Sequence, residues 1–145
     1  MRILVDADGC PVVDIVLRTA KQFGVPVILV CDNAHWMQRE GAETVTVDRG
    51  ADSADMALAN RLRPGDIAVT QDYGLAALCL AKRAMVLHQD GYRYTEENID
   101  SMLLARHTAR KIRRGGGRLR GPSPRTKAQN EAFEEALMEL IKENI

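Results

Sequence analysis

Residues 3–13 read Ile3-Leu4-Val5-Asp6-Ala7-Asp8-Gly9-Cys10-Pro11-Val12-Val13. Three consecutive apolar residues predict a short strand buried on both faces. Asp8-Gly9 is a turn signal. Pro11 suits the first turn of a helix, where its missing N–H is no loss. Val12, Val13, Val16, Leu17 and Ala20 then fall on one helical face, and Gly24 terminates the helix. The stretch is therefore a strand–turn–helix unit with two acids at the carboxyl end of its strand.

The same alternation continues along the chain. Strands are predicted at 25–30, with Pro26 tolerated near the start, and at 44–47, 67–70 and 84–87. Helices are predicted at 53–62 and 75–82 between them, then at 96–113 with Thr95 as N-cap, and at 126–142. Repeated βα units predict an α/β fold in three layers, a mostly parallel five-stranded sheet flanked by helices, followed by C-terminal helices. Right-handed crossovers favour the strand order 3-2-1-4-5. That order makes strands 1 and 4 neighbours at the point where the topology reverses, and ligands of such sheets bind in the crevice beyond the strand ends. The 145 residues read as a single domain, with 113–125 as a flexible basic loop and 126–143 as a helix packing back on the body.

Aspartates mark that crevice. Asp6 and Asp8 follow strand 1, Asp72 follows strand 4 at Thr70-Gln71-Asp72, and Asp52 and Asp55 sit in Gly50-Ala51-Asp52-Ser53-Ala54-Asp55. Acids gathered in one place repel unless a cation or protons lie between them, and hard divalent cations prefer oxygen ligands. Each acid also has an ordinary reading. Asp72 looks like an N-cap, Asp52 like a cap or a macrodipole partner, Asp8 and Asp90 like turn residues. Asp6, at the end of a core strand, is the acid least explained by local structure. Asp55, one turn into a helix, has a rigid mount. Thr70 can orient the cluster or simply satisfy a strand end. His35, His88 and His107 are isolated.

Charge is balanced overall but unevenly placed. Residues 106–127 hold nine Lys/Arg and no acid, whereas residues 1–105 carry an excess of five acids. The segment includes Arg113, Arg114, Arg118, Arg120, Arg125 and Lys127, interleaved with glycine and proline, and fits contact with a phosphate backbone. Aromatics make up 4% of the chain, too few for base stacking to be the main way of holding a ligand. No apolar run reaches the ~20 residues of a membrane span, and the N-terminus lacks a secretory pattern, so a cytoplasmic protein is expected. Cys10, Cys31 and Cys79 are scattered without metal spacing and read as buried reduced thiols. No Walker loop, GxGxxG, G-x-S-x-G or HExxH is present.

Taken in order, Val5-Asp6-Ala7-Asp8-Gly9-Cys10-Pro11, the 50–55 motif, the stretch 69–84, Gly91-Tyr92-Arg93-Tyr94-Thr95-Glu96-Glu97-Asn98-Ile99-Asp100 and Gly121-Pro122-Ser123-Pro124 resemble the YaiI/YqxD family of bacterial proteins over nearly the whole length. That family is described as uncharacterised and similar to PIN-type nuclease domains. The resemblance implies a PIN-like fold with an acidic set at Asp6, Asp55 and Asp72, and Asp8 and Asp52 beside it. It implies one or two Mg²⁺ or Mn²⁺ ions on Asp6, Asp55 and Asp72, and a nucleic-acid substrate, RNA before DNA. Where relatives often have a proline after the second aspartate motif, this chain has Tyr73-Gly74. Where an Asn-Pro-Arg-Gly turn is usual it has 87–91, and where an arginine is common before Phe133 it has Asn130.

The expectation is a metal-dependent nuclease with catalytic acids Asp6, Asp8, Asp55 and Asp72, and with Thr70, Arg113, Arg114, Arg118 and Arg120 touching substrate. Two other readings stand beside it. Asp6-Ala7-Asp8-Gly9 also looks like the start of a haloacid-dehalogenase-type phosphatase with Asp6 as nucleophile, although Cys10-Pro11 replaces the usual small hydroxyl residue. The chain could equally bind RNA or a ribonucleoprotein without catalysis.

Overall fold

The structure is a computed structural model that describes residues 1–32, 38–48, 53–114, 116 and 124–145. The elements run β1 (Ile3–Asp6), α1 (Val13–Phe23), β2 (Val27–Asp32), β3 (Glu43–Val47), α2 (Ser53–Arg61), β4 (Ile67–Val69), α3 (Tyr73–Ala81), β5 (Met85–Leu87), β6 (Arg93–Tyr94), α4 (Glu96–Arg114) and α5 (Lys127–Asn144). They form one sheet of order β3-β2-β1-β4-β5-β6. The first five strands are parallel in the expected order, and β1 and β4 are neighbours in register Ile3↔Ile67, Leu4↔Ala68, Val5↔Val69.

Side chains alternate across the sheet and build two cores. Ile3, Val5, Leu29, Ile67 and Val69 face α1 and α5, where Val13, Val16, Ala20, Phe133, Leu137, Leu140 and Ile141 are buried. Leu4, Ile28, Val30, Ala68 and Val86 face the other way, onto Leu58 and Ala59 of α2, Leu75, Ala76 and Cys79 of α3, and Ile99 of α4. The three layers follow from this alternation. The C-terminal helix packs back as its apolar spacing predicts. Thr126 caps it through a reciprocal pair with Gln129, whose backbone N–H donates to Thr126 Oγ1 at 3.2 Å while its Oε1 accepts from the Thr126 N–H at 2.8 Å.

The sheet has six strands rather than the predicted five. The sixth, Arg93–Tyr94, runs antiparallel against β5 with Val86↔Tyr94 and Leu87↔Arg93. Two residues give too short a pattern for period-two alternation to register. Helix α1 begins at Val13, two residues later than Pro11 suggests. Cys10 N–H closes a turn onto Ala7 O at 3.1 Å, and Gly9 sits at φ +67°. Helix α3 begins at Tyr73, earlier than predicted, because Asp72 caps it. Thr95 caps α4 as expected, in a reciprocal pair with Asn98. Helix α4 reaches Arg114, one residue past its predicted end, and most of the predicted loop at 113–125 lies outside the described residues. No helix among the described residues is long and apolar enough to cross a membrane.

Residues 88–91 dock α5. Arg125 donates to Asp90 Oδ1 at 2.7 Å, to the Gln89 carbonyl at 2.6 Å and, through Nε, to Asn130 Oδ1 at 2.6 Å. A Cβ at Gly91 (φ +95°) would lie 2.7 Å from the Ala132 carbonyl carbon and oxygen and 2.9 Å from Phe133 N. Gly91→Ala is therefore expected to destabilise the protein by about 3 kcal/mol, through backbone strain and displacement of α5. A shift in the urea midpoint of less than a tenth of its wild-type value would contradict that packing.

Candidate active site: acids at the β1–β4 crevice

Asp6 ends β1 and is half-buried, next to fully buried Val5 and Ala7. Its Oδ2 accepts the Thr70 hydroxyl proton at 2.9 Å. Thr70 follows β4 and is 2% exposed, and its Oγ1 in turn accepts the Asp72 backbone N–H at 3.0 Å. This one hydroxyl joins the ends of the two central strands and fixes both acids relative to each other. Thr70, expected to meet substrate, is instead buried between Asp6 and Asp72 and holds them in place. Asp72 caps α3 through Oδ1, which accepts from Gly74 N–H at 2.8 Å and Leu75 N–H at 3.2 Å. The cap places its carboxyl at the rim on a rigid mount.

Asp55 is half-buried in the first turn of α2. Asp8 lies in the turn after β1, where its Oδ2 accepts the Asp32 backbone N–H at 3.1 Å. Asp8 thereby ties the end of β2 to the turn, a structural duty the sequence did not show. The acids converge. Burial first, against the pull of the Thr70 bond, and then the charges of Asp55, Asp8 and Asp72, in that order, together push the Asp6 carboxyl up to about 6. The field reaches Cys79 behind the crevice, whose thiol is pushed up to about 12 by burial and then by Asp6 and Asp55. Cys10, half-buried on the opposite flank, is raised by burial, with Asp6 adding to this and Arg125 opposing it. Cys31 and Cys79 are buried as expected, Cys10 only half so.

The donor chemistry is all oxygen, on a strand end, a helix cap and a first helical turn. That set fits a hard divalent cation. Among the described residues no three His, Cys, Asp or Glu groups stand in an arrangement that would already hold one. Asp52 and His35 lie outside the described residues, as do Arg118 and Arg120 and the side chains of Arg113 and Arg114. Arg125, counted in the basic segment, is engaged with the turn at 89–90 and with Asn130. Asp90 is its partner there. A surface cavity of ≈ 630 Å³ between α1 and residues 40–41 is lined by none of the crevice aspartates.

One flank of the crevice was not legible in the sequence. Tyr73, Tyr92, Tyr94 and His88 form an aromatic group beside Thr70 and Asp72. His88 stacks on Tyr92 at 4.2 Å and 11°, and Tyr94 meets Tyr73, Tyr92 and His88 edge-on at 5.6–6.0 Å. His88 Nδ1 accepts the Asp90 N–H at 2.9 Å, and burial lowers its pKa, which keeps the ring neutral. Residues 73, 88, 92 and 94 share no regular spacing; the β5–β6 turn brings 88, 92 and 94 together, and the start of α3 adds Tyr73.

Thr70→Val removes the bridge without changing shape. Since the Thr70 bond holds the Asp6 carboxyl down, the valine variant is expected to titrate Asp6 above its wild-type value of about 6. Carboxyl-carbon NMR measures this, and Thr70→Ser should restore the wild-type titration. An unshifted valine variant would show that the bridge does not set the geometry.

The sequence profile described as "Uncharacterized BCR, YaiI/YqxD family" matches residues 4–143. The chain belongs to the YaiI/YqxD family. It is 50% identical to a UPF0178 protein of Exiguobacterium sibiricum, over 99% of this chain and 98% of that one. It is 49% identical to a UPF0178 protein of Ruminiclostridium cellulolyticum, over 98% and 93% of the two, and 47% identical to one of Alkaliphilus oremlandii, over 100% and 94%. No solved structure matches the chain. The crevice acids thus belong to a family whose description names no activity.

Proposed function

We propose that this YaiI/YqxD protein is a metal-dependent phosphodiesterase acting on nucleic acid, with RNA the first substrate to test. One observation carries the reading: Asp6, raised to about 6 first by burial, also feels the charges of Asp55, Asp8 and Asp72, so that acids from three separate parts of the chain face one crevice. A structural role rewards no such arrangement, because each acid raises the cost of ionising its neighbour. A divalent cation, when bound, activates water and stabilises charge on the departing oxygen. Asp6, Asp55 and Asp72 would hold it. Thr70 keeps Asp6 and Asp72 in fixed relation, and Asp8 adds negative charge while anchoring the turn to β2. The basic segment at 106–127 draws the phosphate backbone toward an otherwise acidic body, so binding weakens with added salt.

The phosphatase reading needs a lysine beside Asp6 and an acid free to donate. The groups that act on Asp6 are Thr70 and three aspartates, and Asp8 accepts a backbone N–H. The test is cleavage of end-labelled RNA and DNA with Mg²⁺ or Mn²⁺ by wild type and by Asp55→Asn. The variant is expected to lose about a thousandfold in rate, equivalent to ~4 kcal/mol of transition-state stabilisation. Cleavage that survives chelation of all divalent ions, or salt-sensitive RNA binding without any cleavage, would overturn the proposal.

A further inference from the structure

All three tyrosines of a chain poor in aromatics meet at the flank of the carboxylate crevice. Tyr94 is 2% exposed and donates from its hydroxyl to the Thr70 carbonyl at 3.3 Å. Burial pushes the Tyr92 phenol up and the neighbouring Tyr73 adds to this, so the two rings lie in one shared environment. Tyr73 directly follows Asp72, and both Tyr73 and Tyr92 are half-buried. A run of phenols therefore leads from buried backbone beside Asp6 out to the rim beside Asp72. Ring packing alone would be met by phenylalanine, which needs no partner for a hydroxyl.

We infer that Tyr73 and Tyr92 form a nucleobase subsite next to the crevice, their hydroxyls pairing with the edge of the base joined to the reacting phosphodiester. The inference rests on the phosphodiesterase reading and names the part of the substrate it recognises. Each phenol both donates and accepts, as base edges require. A phosphate is the wrong guest for this flank, since Asp72 adjoins it. Unpaired bases in single-stranded RNA are read by such edges and by aromatic contact. Tyr94 and His88 position the pair, Tyr94 from below and His88 by stacking on Tyr92. The low overall aromatic count made base contact look secondary, but their concentration at one place reverses that expectation locally.

The test titrates the full chain, in Mg²⁺, with the four nucleoside 5′-monophosphates and with ribose 5-phosphate, following tyrosine ring signals by NMR. At least one nucleotide is expected to bind about tenfold more tightly than ribose 5-phosphate and to shift the Tyr73 and Tyr92 signals. Tyr73→Phe and Tyr92→Phe should each reduce that preference about fivefold, the worth of one hydrogen bond, with near-ultraviolet circular dichroism unchanged. Equal affinity for nucleotide and ribose 5-phosphate, or a preference untouched by both variants, overturns the inference. RNA cleavage measured alongside keeps the two readings separate. Cleavage without tyrosine-dependent preference sinks the subsite alone. Tyrosine-dependent binding without cleavage upholds a base site and sinks the hydrolysis.

Discussion

Asp6→Asn is expected to make the protein more stable and, on the proposed function, inactive. Wild-type Asp6 has a folded pKa of about 6 against 3.8 for the free side chain. A carboxyl whose pKa is raised on folding opposes folding once it ionises. Its penalty is absent below pH ~4, grows between the two values and is complete above about 6. Two pK units correspond to about 3 kcal/mol at neutral pH. Asparagine stays neutral and its side-chain oxygen can still accept from Thr70, so the variant should gain most of that, on the order of 10 °C in Tm. Mg²⁺ should raise the Tm of wild type by more than that of the variant, which has lost one of the three carboxylates that would share the cation. Thermal unfolding at pH 7.5, with and without Mg²⁺, measures both effects. An unchanged or lower Tm for Asp6→Asn would show that the acids do not converge as described.

At the other end of the same strands, Asp66→Ala is expected to destabilise by about 3–5 kcal/mol. Asp66 is 3% exposed. It accepts the Arg2 backbone N–H at 3.1 Å and the Arg63 N–H at 2.9 Å, and pairs with Arg2 Nη2 at 2.6 Å. Burial alone would raise its carboxyl, but the Arg2 guanidinium and the two N–H groups outweigh that and hold it below the usual range. The variant leaves those donors without an acceptor where β1 and β4 begin. The sign of the linkage is opposite to that of Asp6. Asp66 stabilises above pH ~4 and its contribution is lost as pH falls through its lowered folded pKa. Wild-type stability should therefore rise as pH falls from 7 towards 4, then fall below that. Asp6→Asn should flatten the rise, and Asp66→Ala should lower the whole curve. Urea titrations across pH 3–8 would show the pattern, and an Asp66→Ala midpoint equal to wild type would remove the basis for it.

The order of the parallel strands was legible because the central strands β1, β2 and β4 are short apolar runs buried on both faces, punctuated by turn and capping residues. Ile3-Leu4-Val5 needs both layers of helices to hide it, and right-handed connections then leave few arrangements. Asp6 and Asp72 could be placed beside each other from that order alone. Their link through Thr70 could not, since a hydroxyl two residues before an aspartate serves equally as a strand end or a capping partner. Asp8 was read as turn or catalyst, but its bond to Asp32 depends on how far β2 extends, which its sequence left two residues short. Arg125 looked like one more charge in a basic run, and only the approach of α5 to residues 89–90 turned it into an anchor.

By itself the sequence determined the layers, the succession of strands and the strand ends at which the acids stand, because burial periodicity and turn chemistry act over a few residues at a time. Tertiary structure decided how strongly those acids feel one another, what Thr70 and Arg125 hold, and that three scattered tyrosines share one wall. Those properties depend on distance in space between residues far apart in the chain, such as Asp6 and Thr70, 64 positions apart, and no local pattern encodes it.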